Sequence, residues 1–284
     1  MPDLLLYFTT ATCWLAMSAL AWRAARPAMA AAPSAHFAPA IPAGGEVRIE
    51  SVLVPVALVL HGMLAYRGIL TPNGLDLGVA NAVSLIVWLT VLIYWLAGLA
   101  FPGLASILGL MAPVAFVAVL LQGLVPTHHI VTYAGRPLFT LHFAIAIAAY
   151  SLFIVATVHA VVMLAEEKWL HRGVMPPFLR SLPPLLEMEA LLFRILLAAF
   201  VLLTLTLVSG IFFSEQLFGK PLTFTHKTFF GILSWLVFGS LLVGHYVRGW
   251  RGRTAVNWTL AGFVMLLLAY VGSKVVLELI LGRA

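Results

Sequence analysis

Charge is scarce in this sequence. Lysine and arginine together number 16 and aspartate and glutamate 10, so that 9% of its 284 residues are charged, against about 25% in a soluble domain. With 63% hydrophobic residues and a mean hydropathy of +1.07, no water-soluble surface can be built. One cysteine, Cys13, is present, which excludes an internal disulfide, a zinc cluster and a Cys-x-x-Cys-His attachment site for c-type haem. The net charge of +6 comes from scattered basic residues that form no groove-sized patch, so nucleic acid is not an expected partner. No Walker loop, Gly-x-Gly-x-x-Gly, His-Glu-x-x-His, heptad or internal repeat occurs.

What the chain has instead is long apolar runs: Leu4 to Trp22, Ser51 to Ile69, Val79 to Ala100, Leu104 to Leu124, Leu138 to Leu164, Met188 to Phe213, Thr228 to Tyr246 and Val256 to Leu281. A spanning helix needs about 20 such residues. The expected fold is therefore an all-α polytopic transmembrane bundle of about eight spans, forming a single domain over residues 1–284 with membrane lipid around it. Thr71-Pro72-Asn73-Gly74, Phe101-Pro102-Gly103 and Met175-Pro176-Pro177 punctuate the runs as turns. The low-complexity stretch Pro27 to Gly45 reads as a loose connection. Because Asp3 precedes the first run and Arg23 and Arg26 follow it, that run reads as a retained helix rather than a secretory signal.

Orientation follows from basic loop residues, which accumulate in the cytoplasm. Alternate loops carry Arg23, Arg26 and Arg48, then none, then Lys168, Arg172 and Arg180, then Arg248, Arg251 and Arg253. The opposite set carries Arg67, Arg136, Lys220, Lys227 and Arg283. Both termini are expected outside.

Ionisable groups inside hydrocarbon are costly and usually functional. Of nine histidines, His61, His159 and His245 fall within spans, and His142 and His226 lie at the outer ends of spans. His226 and His245 are 19 residues apart on one helix, roughly 28 Å at 1.5 Å per residue, so one histidine pair per leaflet is possible. Haem iron accepts axial imidazoles from facing helices. Glycines in Leu60-His61-Gly62 and Gly244-His245-Tyr246 would leave room for a flat macrocycle. The competing reading is that each histidine hydrogen-bonds a neighbouring helix, a contact worth roughly 1 kcal/mol.

The second half adds a pattern. Leu141-His142-Phe143 through Ala149-Tyr150-Ser151, Leu205-Thr206-Leu207-Val208-Ser209-Gly210, Trp235, Gly244-His245-Tyr246, Gly249-Trp250-Arg251-Gly252-Arg253 and Leu268-Ala269-Tyr270-Val271-Gly272-Ser273 resemble the CcsA-type cytochrome c assembly family, in particular its small eight-helix YpjD-like and HemX-like branch. The resemblance runs from Leu138 to the C-terminus and more loosely over the first half. It implies a multi-pass protein of the bacterial inner membrane that handles haem, with bis-histidine haem b as cofactor and other cytochrome c assembly or membrane proteins as partners. By resemblance His142 matches an outer-face ligand and His245 a transmembrane ligand. His61 is the expected partner of His245, and His226 that of His142.

The tryptophan-rich outer loop of the full synthetases is replaced here by Ser214-Glu215-Gln216-Leu217-Phe218-Gly219-Lys220-Pro221, and Tyr270 to Ala284 contains no histidine. The resemblance therefore implies an accessory protein rather than a ligase. No paired carboxylates or nucleophile and base support catalysis. A small-solute or ion transporter and a non-catalytic membrane scaffold are the competing functions.

Overall fold

Runs of apolar residues have one way to bury their backbone polar groups in hydrocarbon without a partner strand, namely as helices. The structure, a computed structural model, describes residues 2–30, 49–72, 74–125, 129–131, 136–173, 179, 182–212, 214–215, 224 and 226–269. Among these lie eight α-helices: α1 Pro2–Ala30, α2 Ile49–Ile69, α3 Val79–Ala100, α4 Ala105–Leu124, α5 Pro137–His171, α6 Leu185–Phe212, α7 His226–Arg248 and α8 Gly252–Leu267. The first seven are long and apolar enough to cross a membrane. The eighth expected span is described as far as Ala269, and its remainder to Leu281 lies outside the described residues.

Two helices run past the proline or the charges that end their apolar runs. α1 continues through Pro27 to Ala30, because a proline near a helix end removes one backbone bond at a level where water can replace it. The rest of the expected loop, residues 31–45 with His36, lies outside the described residues. α5 extends seven residues past Leu164 to His171. Its 35 residues rise about 52 Å, well beyond a hydrocarbon core of about 30 Å, so its last turns extend past the hydrocarbon while Glu166 and Trp169 remain packed in the bundle.

Packing pairs α5 with α6, α3 and α8, α1 with α4 and α2, α3 with α2 and α4, and α7 with α6 and α8. A smaller cluster lies under the loops at one end, and the main core runs through all eight helices. At its centre Phe153 of α5 stacks on Phe238 of α7 with ring centroids 4.0 Å apart, and Phe238 occupies the space above Gly262 of α8, where an added Cβ would meet its ring at 2.7 Å.

Sequence reading missed a small antiparallel sheet. Strands β1 Leu70–Thr71, β2 Gly74–Asp76 and β3 Ile130–Val131 pair in the order β1-β2-β3, with Thr71 opposite Gly74 and Asp76 opposite Ile130. The Thr71 to Gly74 turn was anticipated, and it closes this hairpin. Buried Asp76 ties the two loops together, since its Oδ1 accepts the backbone N–H groups of Gly78 at 3.1 Å and His129 at 2.8 Å. The sheet sits over Ile69, Leu77, Val131 and Phe139, at the bundle end where α2 and α4 finish and α3 and α5 begin.

At the other end, Arg253 approaches Glu167 at 3.0 Å and Arg251 approaches Glu189 at 3.6 Å. These exposed pairs each contribute under about 1 kcal/mol, but they gather the end of α5, the start of α6 and the α7–α8 turn at one face. That face carries the arginines expected in the cytoplasm. A phosphatase reporter inserted at Gly252 should therefore be inactive and one after Ala284 active; the reverse pattern would invert the orientation.

Candidate functional site

A buried histidine presents one N–H and one lone pair, and the groups around it decide which nitrogen carries which. Three of the four candidate ligands have a hydrogen-bonded nitrogen in the structure, and His226 sits exposed at the first position of α7.

His245 lies in the last turn of α7 and is half-buried. Gly249, at φ 68°, ends the helix in the left-handed conformation that side chains other than glycine's disfavour. Its N–H returns to the His245 carbonyl at 3.0 Å, and the Trp250 N–H returns to that of Gly244 at 3.2 Å. Trp250 is thereby folded back, and its carbonyl lies 2.9 Å from His245 Nδ1. A carbonyl only accepts, so Nδ1 carries the proton and donates it, leaving the lone pair on Nε2. The imidazole face is covered by Phe193 of α6, stacked at 3.4 Å between ring centroids. This backbone-anchored tautomer is the one that haem-ligating and metal-ligating histidines use.

The glycine beside it serves a different purpose from the one expected. A Cβ on Gly244 would collide with the Trp250 indole, and one on Gly62 would meet the Trp88 indole at 3.1 Å. The room beside both histidines is therefore taken by tryptophan rings, and these glycines are not evidence of space for a macrocycle.

His61 is wholly buried on α2, with Nε2 2.9 Å from Ser84 Oγ of α3. Backbone carbonyls fix the direction of the chain that follows. Asn81 Nδ2 donates to the carbonyls of Gly68 at 3.0 Å and Asp76 at 3.3 Å, so Asn81 Oδ1 accepts from Gln122 Nε2 at 3.1 Å. Gln122 Nε2 also points at the Leu64 carbonyl. Gln122 Oε1 must then accept the Ser84 proton at 2.7 Å, and Ser84 Oγ in turn accepts from His61 Nε2–H. The His61 lone pair is left on Nδ1, which is buried and has no hydrogen-bond partner. The Trp14 ring of α1 stands edge-on at 6.1 Å.

The expected pairing of His61 with His245 is not formed in this arrangement. His61 is enclosed by α1 and α3, and its Nε2, the usual iron-binding nitrogen, is committed to Ser84. His245 is enclosed by α6 and the α7–α8 turn. The reason is chain topology: α2 packs with α1 and α3, α7 with α6 and α8. Depth separates them as well: His61 is twelve residues from the start of α2 and His245 three residues from the end of α7, about 18 Å and 4.5 Å from the same end of the bundle at 1.5 Å per residue.

At the other end, His142 of α5 lies with Nδ1 2.7 Å from Ser209 Oγ of α6. Ser209 Oγ also donates to the Leu205 carbonyl at 2.7 Å, so the contact holds His142 against the last turns of α6. Gly210 lies against the same ring, 3.6 Å from Cε1 to a built Cβ. α6 ends here and α7 begins with exposed His226, so the two outer histidines lie at the same end of the bundle. His159 is buried, with Nε2 donating to the Met188 carbonyl at 2.9 Å, so it pins α5 to α6. His128 and the segments from 216 to 221 and from Tyr270 onward lie outside the described residues.

The residues present thus fit an imidazole-ligated haem unevenly. His245 holds the tautomer that leaves its lone pair on Nε2, whereas His61 does not. Among the described residues no cluster of three or more His, Cys, Asp or Glu side chains is placed to hold a bare metal ion. Asn81, Ser84 and Gln122 were the missed residues; their signal was polar character inside otherwise apolar runs.

Comparison with known proteins agrees with this architecture. The family model described as Cytochrome C assembly protein matches residues 50–281. The inner membrane protein YpjD of Escherichia coli K12 is 30% identical over 239 residues, covering 84% of this chain and 89% of that protein. An uncharacterised 28.8 kDa protein of Azospirillum brasilense is 33% identical over half of this chain and 52% of its own length. The cytochrome c biogenesis protein CcsA of Prochlorococcus marinus MIT 9515 is 33% identical over 86 residues, 30% of this chain and 28% of that one. With its apolar helices, the chain is a multi-pass protein of the bacterial inner membrane, and with a match spanning α2 to beyond α8 it belongs to the cytochrome c assembly protein family.

Proposed function

We propose that this chain, as a single transmembrane domain, binds haem b in the inner membrane and serves cytochrome c assembly as an accessory protein rather than as the ligase. The observation that supports this most is His245, whose Nδ1–H is anchored on the Trp250 carbonyl at 2.9 Å, so that Nε2 is presented as a neutral imidazole donor. Bound haem supplies redox-active iron whose potential and release respond to axial ligation, burial and exclusion of water. The chain's own residues orient the ligand: Phe193 covers one face of the imidazole, Gly249 turns the backbone, and Trp250 fills the space over Gly244. His142 and His226 form the outer pair in this reading, and His61 reaches iron only if α2 is repacked. Relatives named for cytochrome c biogenesis, such as CcsA, support the cargo and its destination, with other assembly proteins as partners.

An absorption spectrum of detergent-purified protein after haem supplementation tests the reading. A Soret band of stoichiometric, six-coordinate low-spin haem is expected, and its absence from monodisperse protein would defeat it. At the outer face, His142→Ala with His226→Ala is expected to reduce haem retained per protein while leaving insertion intact. A pyridine haemochrome assay measures this, and an unchanged ratio and spectrum would remove the outer site.

A further inference from the structure

Beyond Glu189, α6 carries one charged residue, Arg194. It is exposed, on the stripe that also exposes Leu197, Val201 and Leu205 by 42%, 50% and 46%, so it fronts the bilayer rather than another helix of the chain. Its depth is set by the residue before it. Phe193 stacks on His245 with ring centroids 3.4 Å apart, and consecutive Cα atoms are about 3.8 Å apart. Arg194 therefore lies level with His245, three residues before the end of α7. Its guanidinium has no ion pair or hydrogen bond with a described residue. The carboxylates at that end of α6 are elsewhere: Glu189 meets Arg251 at 3.6 Å and the Gly252 N–H at 3.3 Å, and Glu187 is seven residues back along the helix, about 10.5 Å.

An arginine that faces hydrocarbon without a counter-ion is costly and marks a functional position. Helix side chains tilt toward the N-terminus, which for α6 is the arginine-rich end of the bundle, so the guanidinium is carried toward the membrane boundary. That position suits an amphiphilic anion, apolar within the hydrocarbon and acidic along one edge. A second copy of α6 packed in parallel on this stripe would set Arg194 against Arg194, and like charges exclude it. Haem b has the required chemistry, a flat apolar macrocycle with two propionates on one edge. The His245 Nδ1–H is committed to the Trp250 carbonyl at 2.9 Å, which leaves Nε2 for iron, and Arg194 is the next residue after the one that covers this imidazole.

We propose that Arg194 is the propionate anchor of the inner haem site, pairing with a carboxylate of the haem whose iron His245 ligates. This rests on the haem reading above and adds to it the residue that fixes which edge of the macrocycle faces the arginine-rich end. The test is titration of the haem-free full chain in detergent with haem b or with its dimethyl ester, which has the same iron and ring but no carboxylate. Wild type is expected to bind haem b about tenfold more tightly than the ester, a factor worth about 1.4 kcal/mol and within reach of one hydrogen bond to a charged group. Arg194→Gln should lose that preference by weakening haem b alone, with the spin state of bound haem unchanged because His245 is intact. Arg194→Lys should keep most of it. Arg23→Gln removes an equally exposed arginine from α1, a helix packed on α2 and α4, and should leave the preference as it is. Equal binding of haem b and its ester by wild type, a preference that survives Arg194→Gln, or the same loss in Arg23→Gln would each overturn the anchor while leaving haem at His245 standing. Loss of the preference on adding equimolar phosphatidylglycerol would also overturn it, by showing Arg194 to be a lipid phosphate site. A wild type that binds neither compound would overturn the anchor together with the haem reading.

Discussion

His245→Ala is expected to produce the largest loss of haem of any single substitution in this chain. Removing the imidazole takes away a strong-field nitrogen donor, so a six-coordinate low-spin spectrum should become high-spin or disappear. Affinity should fall by more than the roughly 10- to 100-fold that loss of an outer-shell partner alone brings. Phe193→Leu removes the ring stacked on His245 but leaves Nε2 in place. It should lower stability by about 1 kcal/mol with the spin state retained. His245→Gly leaves a gap against Phe193 that free imidazole can enter, and added imidazole should restore the low-spin spectrum there. If haem content and spin state per monodisperse protein are the same in His245→Ala as in wild type, the histidine is structural, and its bond to Trp250 is then merely a helix stop.

What the sequence made legible, and what it hid, divides by the range of the interaction. Helix number and most boundaries follow from apolar run length, so Val79–Ala100 is found where it was expected. The Gly249-Trp250-Arg251-Gly252-Arg253 turn was visible as a motif, although its role in orienting His245 was not, because that depends on one carbonyl folded back over Gly244. Which helices touch is not encoded in run length. His61, twelve residues into α2, and His245, three residues from the end of α7, differ in depth as well as in neighbouring helices, whereas His142 and His226 begin helices at one end of the bundle. The sheet was hidden for a related reason. Strands of two or three residues carry no periodicity, and their pairing joins segments 56 residues apart in the case of Leu75 and Val131. Polar residues within spans did carry a signal. Asn81, Ser84 and Gln122 stand out in apolar runs as clearly as the histidines, but histidine chemistry drew the reading toward iron, while the structure joins His61 to those three residues.

Gln122→Leu tests that junction. The side chain accepts from Ser84 and donates to Asn81 Oδ1 and the Leu64 carbonyl, and neither water nor lipid can take its place in a buried site. Substitution leaves the Asn81 acceptor and the Ser84 donor without partners. At roughly 1–3 kcal/mol for each buried unsatisfied group, the bundle should lose about 2–6 kcal/mol, read as a drop in unfolding midpoint in detergent. Of the two side chains bonded to Ser84, His61 then remains, with Nε2 at 2.9 Å. Ser84 can use that nitrogen only if the His61 proton moves to Nδ1, so the variant should exchange the imidazole tautomer, which nitrogen-15 NMR of labelled histidine resolves. Adding Ser84→Ala to Gln122→Leu removes the stranded donor, and the double variant should be less destabilised than the sum of the two single changes. A Gln122→Leu protein with wild-type stability and an unshifted His61 proton would mean that the chain from Gly68 to His61 carries no weight in the fold, and His61 would again be open to serve as a ligand.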